Sequence, residues 1–581
     1  MENNKLVIIS TKVSKNYGAG HLKRSINIAK ELLPFSYPII FVNNDKNGIR
    51  ELEKSGIKYV VIKSKKDEIK LLDSISYDIL LVDKRETSFY KNRRGITVGI
   101  DNYGSDTDYF DFTISALPYE KEFNVNFKGI EYLVLDSKIF EIRKSKNRDI
   151  KNILVTFGGS DPKDLSSLIV HILEEISNNF NVKIILGPLY SGKINKDRLP
   201  PNFTIQEFKE SLYDYIQWAD IVITSFGITA IESLVAERPV FLINPTDYHN
   251  RLANILKVSS FLGDYKNFDN IKAAIIKFIK SPFIPVLKLP TSNSSFVGLI
   301  KRFLSGNKEL CPICNSYVNR ITVFRDGFNN IFFCKKDKII FRNSDYSSDK
   351  KYGPDYFITS YKSQYGKTYE EDRPNIDRLN KRRIKIIKKI LKNVARPKLF
   401  EAGSALGFFL DLARSEGFIV KGVEISKYAT DYSKNILKLD VVNSSFFDFN
   451  FDYKYYDVIT MWYFIEHIKE LDNLILKVKS GLKKNGILAI STPNCYGITG
   501  RKNIKNYSSK IPDDHYYEFT PKSLTKILEK YGFKKVKIVY TGLHPKRIYN
   551  KIPKFLYPLV RFFMKVFGLG DTFEAYYRLL E

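Results

Sequence analysis

The sequence predicts an α/β chain built from several parallel sheets, and two observations support that prediction. Short apolar runs typical of buried strands alternate with amphipathic helical patterns along residues 1–305, and the same alternation returns after residue 394. Alternation of this kind builds parallel sheets covered by helices on both faces. Because 581 residues are too many for one hydrophobic core, we expect several domain-sized units.

The composition is that of a folded, reduced protein. Hydrophobic residues make up 44% and aromatic residues 14%, which excludes global disorder. The formal charge of +29 allows RNA, anionic lipid or a nucleotide-sugar as partner, but the lysines are scattered, and the densest run, 381–392, alternates with isoleucines as in an amphipathic helix with a solvated basic face. Four cysteines and the lack of a long apolar run predict a cytoplasmic protein without disulfides or membrane spans.

The first half divides into two series of strands and helices. A charged stretch at 143–148 is expected to be the hinge between them, and the Pro- and Ser-rich segment 281–310 is expected to be a linker. The expected units are 1–145, 146–305, 306–345 and 346–581. The predicted strands are Leu6–Ile9, Pro38–Val42, Tyr59–Ile62, Asp78–Val82, Thr97–Ile100, Ile153–Phe157, Val182–Leu186, Ile221–Thr224 and Val240–Ile243.

Three loops that follow predicted strands indicate a phosphate-containing ligand in the first half. They read GAGHLKR at 18–24, FGGSDP at 157–162 and SFGITAIE at 225–232. Glycines at a helix start let the backbone approach a ligand and present N–H groups to a diphosphate, and a carboxylate one turn later can accept hydrogen bonds from ribose. His21 can serve as a general base near neutral pH, although a core or capping histidine remains the alternative.

These loops, with Ile100-Asp101-Asn102, resemble the family of glycosyltransferase-B type that includes the spore-coat polysaccharide biosynthesis protein G and the UDP-sugar hydrolase of pseudaminic acid biosynthesis. The resemblance implies two Rossmann-like lobes, a UDP- or CMP-linked sugar and a small sugar acceptor. It also implies His21 as base, and it leaves water or a sugar hydroxyl open as attacking group, because Lys84 and His249 depart from the hydrolase pattern. The residues implied at the nucleotide-sugar site are Gly18, Gly20, Gly158, Gly159, Ser160, Gly227, Ile228, Thr229, Glu232 and His249.

A cysteine-bearing module follows the first half. Cys311 and Cys314 form a CxxC pair, and Cys334 with Asp337 repeats that spacing about 20 residues later, as in a zinc ribbon whose fourth cysteine is replaced by a carboxylate. Two alternatives stay open: a zinc site with three thiolates and one carboxylate, or a degenerate ribbon that has lost its metal.

The second half carries a glycine-rich turn between a strand and a helix. Residues 399–407 read LFEAGSALG, and a second strand ends at Glu424 about twenty residues on, where an acid can hold ribose hydroxyls. Ala405 stands where such turns have their middle glycine. The spacing alone leaves NAD and S-adenosylmethionine in competition.

Residues 350–581 resemble class I S-adenosylmethionine-dependent methyltransferases, particularly a small-molecule and sugar subgroup. The resemblance rests on residues 361–369, 401–409, 422–426, 456–467, 486–494 and 515–524. It implies a Rossmann-like domain in which His467 and His515 are candidate proton acceptors, with an orienting or packing role as the alternative. The residues implied at the cofactor site are Glu401, Gly403, Ser404, Gly407, Glu424, Ile425 and Asp448.

Together these patterns predict a bifunctional enzyme of modified-sugar or surface-polysaccharide synthesis, a nucleotide-sugar hydrolase or glycosyltransferase joined to a methyltransferase. The alternative is an RNA- or macromolecule-directed methyltransferase whose first half only binds, although RNA-binding motifs are absent and no nucleic acid is expected. The aromatic and basic segment 551–567 suits an anionic membrane surface, a pocket cap or a dimer contact. The sequence leaves the oligomeric state open.

Overall fold

The computed structural model divides the chain into two compact units, residues 1–308 and 309–581. Within the described ranges, no helix is both long enough and apolar enough to cross a membrane. The predicted hinge at 143–148 lies outside those ranges. The structure describes residues 5–13, 20–84, 90, 93–102, 105–117, 124–142, 150–159, 161–176, 179–187, 190–192, 194, 199–207, 211–261, 267–285, 289–306, 308–343, 353–392 and 394–580.

The first unit begins with a seven-stranded parallel sheet. Its strands are β1 Leu6–Thr11, β2 Tyr37–Asn43, β3 Tyr59–Ile62, β4 Ile79–Asp83, β5 Ile96–Ile100, β6 Phe112–Ser115 and β7 Phe127–Lys128, and its helices are α1 Gly20–Leu32, α2 Lys46–Ser55 and α3 Lys65–Ser74. The strand order is β3-β2-β1-β4-β5-β6-β7. The central strands are continuous apolar runs because helices cover both faces of a parallel sheet. Their carboxyl ends carry the polar residues of the first lobe's site.

A second parallel sheet follows in the same unit, with strand order β10-β9-β8-β11-β12-β13. Its strands are β8 Asn152–Val155, β9 Asn181–Leu186, β10 Phe203–Glu207, β11 Ile221–Thr224, β12 Val240–Ile243 and β13 Ser260–Phe261, and its helices are α4 Leu165–Ile176, α5 Tyr213–Trp218, α6 Ile228–Val235, α7 Asp247–Ile255 and α8 Phe268–Lys280. The unit therefore contains the two Rossmann-like lobes that the sequence predicts.

The linker predicted over 281–310 is wrong for its second half, where helix α9 (Ser294–Ser305) forms. This helix returns to the first lobe. Phe303 stacks on Phe112 of β6 at a centroid distance of 4.3 Å, and Asn293 donates to Glu31 Oε1 at 2.8 Å. Apolar residues at helical spacing outweigh the proline and serine content that suggested a linker.

The second unit contains two sheets. Its strands are β14 Arg320–Asp326, β15 Asn329–Cys334, β16 Ile339–Arg342, β17 Lys398–Ala402, β18 Ile419–Glu424, β19 Val441–Asn443, β20 Tyr456–Trp462, β21 Leu482–Pro493, β22 Tyr517–Glu518, β23 Phe533–Thr541 and β24 Thr572–Leu579. Its helices are α10 Tyr361–Tyr365, α11 Arg373–Leu391, α12 Phe408–Ser415, α13 Lys427–Asn435, α14 Leu471–Gly481, α15 Ile498–Lys502, α16 Ile504–Ser508, α17 Pro521–Glu529, α18 Pro545–Ile548 and α19 Tyr557–Val566.

The larger of these sheets has the order β19-β18-β17-β20-β21-β24-β23. Its first five strands run parallel, and β24 inserts antiparallel between β21 and β23. The order reverses beside β17, so the carboxyl ends of β17 and β20 border a crevice, where open α/β sheets bind ligands. The glycine-rich turn that follows β17 lies at this switch point.

The smaller sheet joins the cysteine-bearing segment to the rest of the unit. Its antiparallel strands follow the order β14-β15-β16-β22. Strand β22 follows β21 of the larger sheet in the chain. Cys311 and Cys334 share one buried cluster with Phe519 and Leu524. The cysteine module is therefore packed into the second unit rather than attached by a linker.

Candidate functional site

The first lobe brings His21 to a buried pair of carboxylates at the carboxyl end of its sheet. His21 Nδ1 lies 2.6 Å from Asp83 Oδ1, and Arg24 Nε donates to Asp83 Oδ2 at 2.8 Å. Arg24 also donates to Asp101, whose other oxygen accepts from the backbone N–H of Ala116 at 2.8 Å. His21 is therefore an oriented imidazole at the start of α1.

The charge of Asp83 is fixed by its neighbours. Complete burial would raise the pKa of this carboxyl, but Arg24 and His21 together hold it well below its usual range. An ionised partner at Nδ1 keeps the proton on that nitrogen, so that Nε2 is the basic atom of the ring. In this arrangement Nε2 of His21 can accept a proton, as a general base must.

The second lobe presents helix α6 to this imidazole. A Cβ placed on Gly20 would lie 3.8 Å from Ile228 Cδ1, so the start of α1 and the start of α6 face each other. Gly227 precedes α6 with open space where a side chain would stand. Burial raises the pKa of Glu232 to about 7, with Lys23 opposing and Asp136 reinforcing that shift. Lys23 of the first lobe and Glu232 of the second therefore lie close enough to attract each other electrostatically.

The remaining predicted residues of this site that the structure describes lie in loops and at the starts of helices. Gly158 and Gly159 follow β8, with the exposed Gly158 in the left-handed region at φ 77°. Asp161 accepts from the N–H groups of Leu165 and Ser166, which makes it the cap of α4. His249 Nδ1 lies 2.6 Å from Thr246 Oγ1, at the start of α7.

Gly18 and Ser160 lie outside the described residues. Thr229, in the first turn of α6, is half-buried and its carbonyl accepts from the Ser233 hydroxyl at 2.8 Å.

A buried network behind Asp83 was missed by the sequence prediction. Lys84 Nζ lies 2.8 Å from Glu68 Oε2, and the Tyr90 hydroxyl donates to Glu68 Oε1 at 2.7 Å. Ser10 completes the network by a 2.7 Å contact with Tyr90. The Val-Asp-Lys motif showed a departure from the hydrolase family, but Glu68 lies on α3 and only the fold brings it here.

The cysteine module gathers its four predicted residues at one point. Cys311 and Cys334 each place Sγ 3.6 Å from Asp337 Oδ2, and Cys314 Sγ lies 4.0 Å from Cys334 Sγ. Around a tetrahedral zinc ion with Zn–S bonds of about 2.3 Å, neighbouring donor atoms stand roughly 3.5–3.8 Å apart. The pKa of Cys334 is lowered to about 6, and the hydrogen bond with the Cys311 thiol is the largest cause. The spacing and the acidic thiol fit a zinc site.

The glycine-rich turn after β17 has the backbone that a cofactor-binding turn requires. Gly403 and Gly407 adopt φ 69° and 81°, and Ala405 is held at φ 46°. A Cβ on Gly403 would lie 2.7 Å from Phe464, and one on Gly407 would lie 2.7 Å from Leu439 Cδ1 and Ser433 Oγ. Larger residues would therefore deform this turn.

The acidic residues around the turn differ in what they contact. Glu424 accepts from the N–H groups of Ala405 and Ser426 at 2.8 and 2.9 Å, so it fastens the turn to the end of β18. Glu401 is buried, and burial raises its pKa well above the usual range. Within the part of the chain that the structure describes, neither Glu401 Oε2 nor the buried Ser404 hydroxyl has a hydrogen-bond partner. Such orphaned polar atoms fit a ligand that supplies hydrogen bonds.

Two further predicted cofactor residues are exposed. Ile425 keeps 61% of its surface accessible although it directly follows β18, and Asp448 is also exposed. A large apolar side chain exposed beside such a turn can cover an aromatic base. Both side chains are therefore accessible to a ligand.

His467 and His515 meet beyond the end of β20. Their rings are perpendicular with centroids 4.6 Å apart. His467 Nδ1 lies 3.3 Å from Asp514 Oδ2, and His515 Nδ1 lies 2.6 Å from Glu518 Oε1. Burial raises the pKa of the adjacent Glu466 to about 7. The sequence named both histidines but missed Glu466, which precedes His467 directly.

Arg383 was also missed, because the basic helix was interpreted as a solvated face. Its side chain is buried, donates to Glu574 Oε1 at 2.9 Å and places its guanidinium 4.1 Å from the Trp462 ring centroid. The isoleucine periodicity predicts helix α11 correctly. Periodicity cannot show that one arginine of the charged face turns inward to a carboxylate on β24.

Within the segment 551–567, Tyr557–Val566 form helix α19, in which only Met564 is buried. Large apolar residues of the segment therefore remain accessible. The exposed ones are Phe555, Leu559, Phe562, Phe563, Val566 and Phe567.

Comparisons with known proteins find relatives for both halves of the chain. Residues 370–538 match the model of a family described as methyltransferase domain. The ubiquinone biosynthesis O-methyltransferase of Rickettsia typhi is 29% identical over 168 residues, which cover 26% of this chain and 68% of that protein.

Two further relatives are longer matches. The uncharacterized protein MJ1062 of Methanocaldococcus jannaschii is 30% identical over 275 residues, 42% of this chain and 56% of that protein. The spore coat polysaccharide biosynthesis protein SpsG of Bacillus subtilis is 22% identical over 261 residues, 41% of this chain and 76% of that protein. The chain thus spans little more than half the length of the first of these two.

These findings confirm the two resemblances inferred from the sequence. The chain carries a methyltransferase domain in its C-terminal half and, in its N-terminal half, a region similar to the spore coat polysaccharide biosynthesis protein SpsG.

Proposed function

We propose that the chain is a bifunctional enzyme that makes a methylated sugar for a surface polysaccharide. Its first unit would cleave or transfer a sugar from a UDP- or CMP-linked donor, and its second unit would methylate that sugar or a related small molecule. The observation that carries the proposal is the turn after β17, where two left-handed glycines and orphaned polar atoms border a crevice. We place both reactions in the cytoplasm, in keeping with four unpaired cysteines.

The cofactor of the second unit would be S-adenosylmethionine. Gly403, Ser404 and Gly407 would hold its methionine and ribose side, with Glu401 as a further hydrogen-bonding group. Ile425 and Asp448 would contact the adenine. When bound, the cofactor supplies an electrophilic methyl group, and the protein's task is alignment of the acceptor with it.

The acceptor would lie toward His467 and His515, which follow the strand next to the glycine turn. Phe464, three residues before His467, packs on Gly403, so the two features share one edge of the sheet. The pair would promote loss of the proton from an acceptor hydroxyl. The relative in Rickettsia typhi is named an O-methyltransferase, which agrees with oxygen as the methylated atom.

In the first unit, His21 would act as general base on water or a sugar hydroxyl. Asp83 holds the ring by Nδ1, which directs Nε2 to the proton that is removed. The N–H groups at the start of α6, around Gly227, would bind the diphosphate, and Glu232 would accept hydrogen bonds from ribose. Departure of the nucleoside diphosphate or monophosphate would complete the reaction.

The cysteine module would hold a structural zinc ion through Cys311, Cys314, Cys334 and Asp337. The donor distances fit one tetrahedral ion. Lys526 donates to the other oxygen of Asp337 at 2.6 Å and would offset part of the negative charge of three thiolates and a carboxylate.

The donor half of the proposal is tested with purified full-length chain and a panel of UDP- and CMP-sugars. We expect stabilisation by one member of the panel and release of its nucleotide. His21→Ala should lower that release about 10²–10⁴-fold, the usual contribution of a general base. His171→Ala, which changes an exposed histidine of α4, is the control and should keep full activity. Unchanged nucleotide release in His21→Ala would contradict the assignment.

A further inference from the structure

Glu466 is a buried carboxylate that lies beside His467 and His515. Its side chain is completely buried, and among the described residues neither carboxylate oxygen makes a hydrogen bond of normal geometry. One of its oxygens nevertheless lies within 4.8 Å of ring nitrogens of both His467 and His515. A buried carboxylate without hydrogen bonds costs several kcal/mol unless a positive charge compensates it. Among the described residues, no lysine or arginine forms an ion pair with Glu466.

The two imidazoles are oriented as metal-binding histidines are. Asp514 holds Nδ1 of His467, and Glu518 holds Nδ1 of His515. Glu518 is in turn fixed by the Tyr507 hydroxyl, which donates to its second oxygen at 2.5 Å. A carboxylate on one ring nitrogen fixes the tautomer and leaves the other nitrogen as a ligand. In both rings, Nε2 has no hydrogen-bond partner among the described residues.

We propose that Glu466, His467 and His515 bind a divalent transition-metal cation beside the methyltransferase site. Two imidazoles and one carboxylate form a donor set that suits Mn²⁺, Fe²⁺, Co²⁺, Ni²⁺ or Zn²⁺ and leaves coordination positions open. The cation neutralises Glu466. This site is distinct from the cysteine cluster, which offers three sulfur donors.

The chemical role of the cation rests on the proposed methyl transfer. A cation at this point favours loss of the proton from an acceptor hydroxyl. The acceptor oxygen then bonds to the methyl carbon while the sulfur–carbon bond breaks, S-adenosylhomocysteine leaves and the proton passes to water. The two histidines thereby act on the acceptor through the cation.

The test is a titration of metal-stripped full-length chain with Co²⁺, followed by absorption spectroscopy. We expect two bound equivalents: one with the near-ultraviolet charge-transfer bands of thiolate ligands, and one with only the visible bands of nitrogen and oxygen ligands. Glu466→Gln should abolish the second equivalent and keep the first. Glu518→Gln, which replaces the ionic partner of His515 Nδ1 by a neutral one, should weaken the second about 10–100-fold.

Two controls separate this site from the others. Measured below its lowered unfolding temperature, Cys314→Ser should alter the thiolate bands and keep the second equivalent. His171→Asn, at an exposed histidine, should keep both equivalents. A single equivalent with thiolate bands, or a second equivalent that survives Glu466→Gln, would overturn the proposal. Binding of S-adenosylhomocysteine is measured in parallel: if it binds and the second Co²⁺ does not, the cation site fails while the methyltransferase proposal stands. If Co²⁺ binds as expected and S-adenosylhomocysteine does not, the methyltransferase proposal fails while the cation site stands.

Discussion

At the scale of single residues, three glutamates carry the functional signal: Glu401 and Glu466 are buried, and Glu232 is half-buried. Burial raises the pKa of Glu232 and of Glu466 to about 7 and that of Glu401 well above its usual range. Each belongs to a different part of a proposed site. Groups that are held in such environments reduce stability when they ionise, so their presence is better explained by ligand binding than by folding.

Glu232→Gln should stabilise the first unit at high pH and weaken nucleotide binding. A carboxyl whose folded pKa is raised favours the folded state below its unfolded pKa, and this contribution is lost as pH rises from about 4.5 to about 7. The substitution should therefore gain up to about 2–3 kcal/mol at pH 8 and little at pH 4.5. Thermal unfolding at both pH values measures the gain.

The matched control for Glu232→Gln is Glu207→Gln, at an exposed position of β10. Equal stabilisation by both substitutions would show that burial of Glu232 is not the cause. Retention of full UDP affinity in Glu232→Gln would argue against its contact with ribose.

Gly407→Ala should abolish binding of S-adenosylhomocysteine. The new methyl group would meet Leu439 and Ser433 at 2.7 Å, and φ 81° is unfavourable for alanine. Gly417→Ala is the matched control, because Gly417 has φ 91° but open space around it. Both should lose about 1 kcal/mol of stability from the backbone conformation. Calorimetric titration should show binding lost in the first variant only, and equal affinity in both would contradict the role of the turn.

At the scale of elements, the apolar strands were predictable and the non-local pairings were not. Tyr59–Ile62, Ile221–Thr224 and Val240–Ile243 form as predicted, because four-residue β-branched runs between turns leave little alternative. Strand β10 was missed because only Phe203 of it is buried. Helix α9 was missed because prolines and serines precede its apolar face.

The predicted sites divide in the same way. The spacing of Gly403, Gly407 and Glu424 is local and was recognisable from the sequence. No local sequence pattern identifies Glu68, Arg383 or Glu466 as a site residue, because their partners lie on other elements. Sequence patterns locate a glycine turn, but they cannot tell which carboxylate the fold buries beside it.

Strand β16 couples the cysteine module to His515. It pairs Ile340 with Glu518 of β22, and Glu518 holds the His515 ring. We therefore expect Cys314→Ser to remove zinc and to destabilise the whole second unit, because a structural zinc site contributes directly to folding free energy. The unfolding temperature of that unit and the zinc content measure this effect.

Lys336→Ala, at an exposed position between Cys334 and Asp337, is the control and should keep both zinc and stability. If Cys314→Ser lost its zinc and unfolded at the same temperature as the unchanged chain, the module would be independent of the second unit. If neither protein contained zinc, the cluster would be a degenerate ribbon.

At the scale of the whole molecule, the chain divides into two units, each with its own expected ligand. The first ends at Lys308 and the second begins at Glu309. A ligand that binds one folded unit stabilises that unit by mass action and has no reason to stabilise the other. Two separable unfolding transitions, each shifted by one ligand, are the expected behaviour.

Isothermal titration of the full-length chain with S-adenosylhomocysteine and, separately, with UDP and CMP shows whether the chain has two independent ligand sites. We expect one equivalent of S-adenosylhomocysteine and one equivalent of UDP or CMP, with each affinity unchanged when the other ligand is already bound. Gly407→Ala should remove only the first and Glu232→Gln should weaken only the second. A well-folded chain that takes up neither S-adenosylhomocysteine nor a pyrimidine nucleotide would have neither of the two proposed activities.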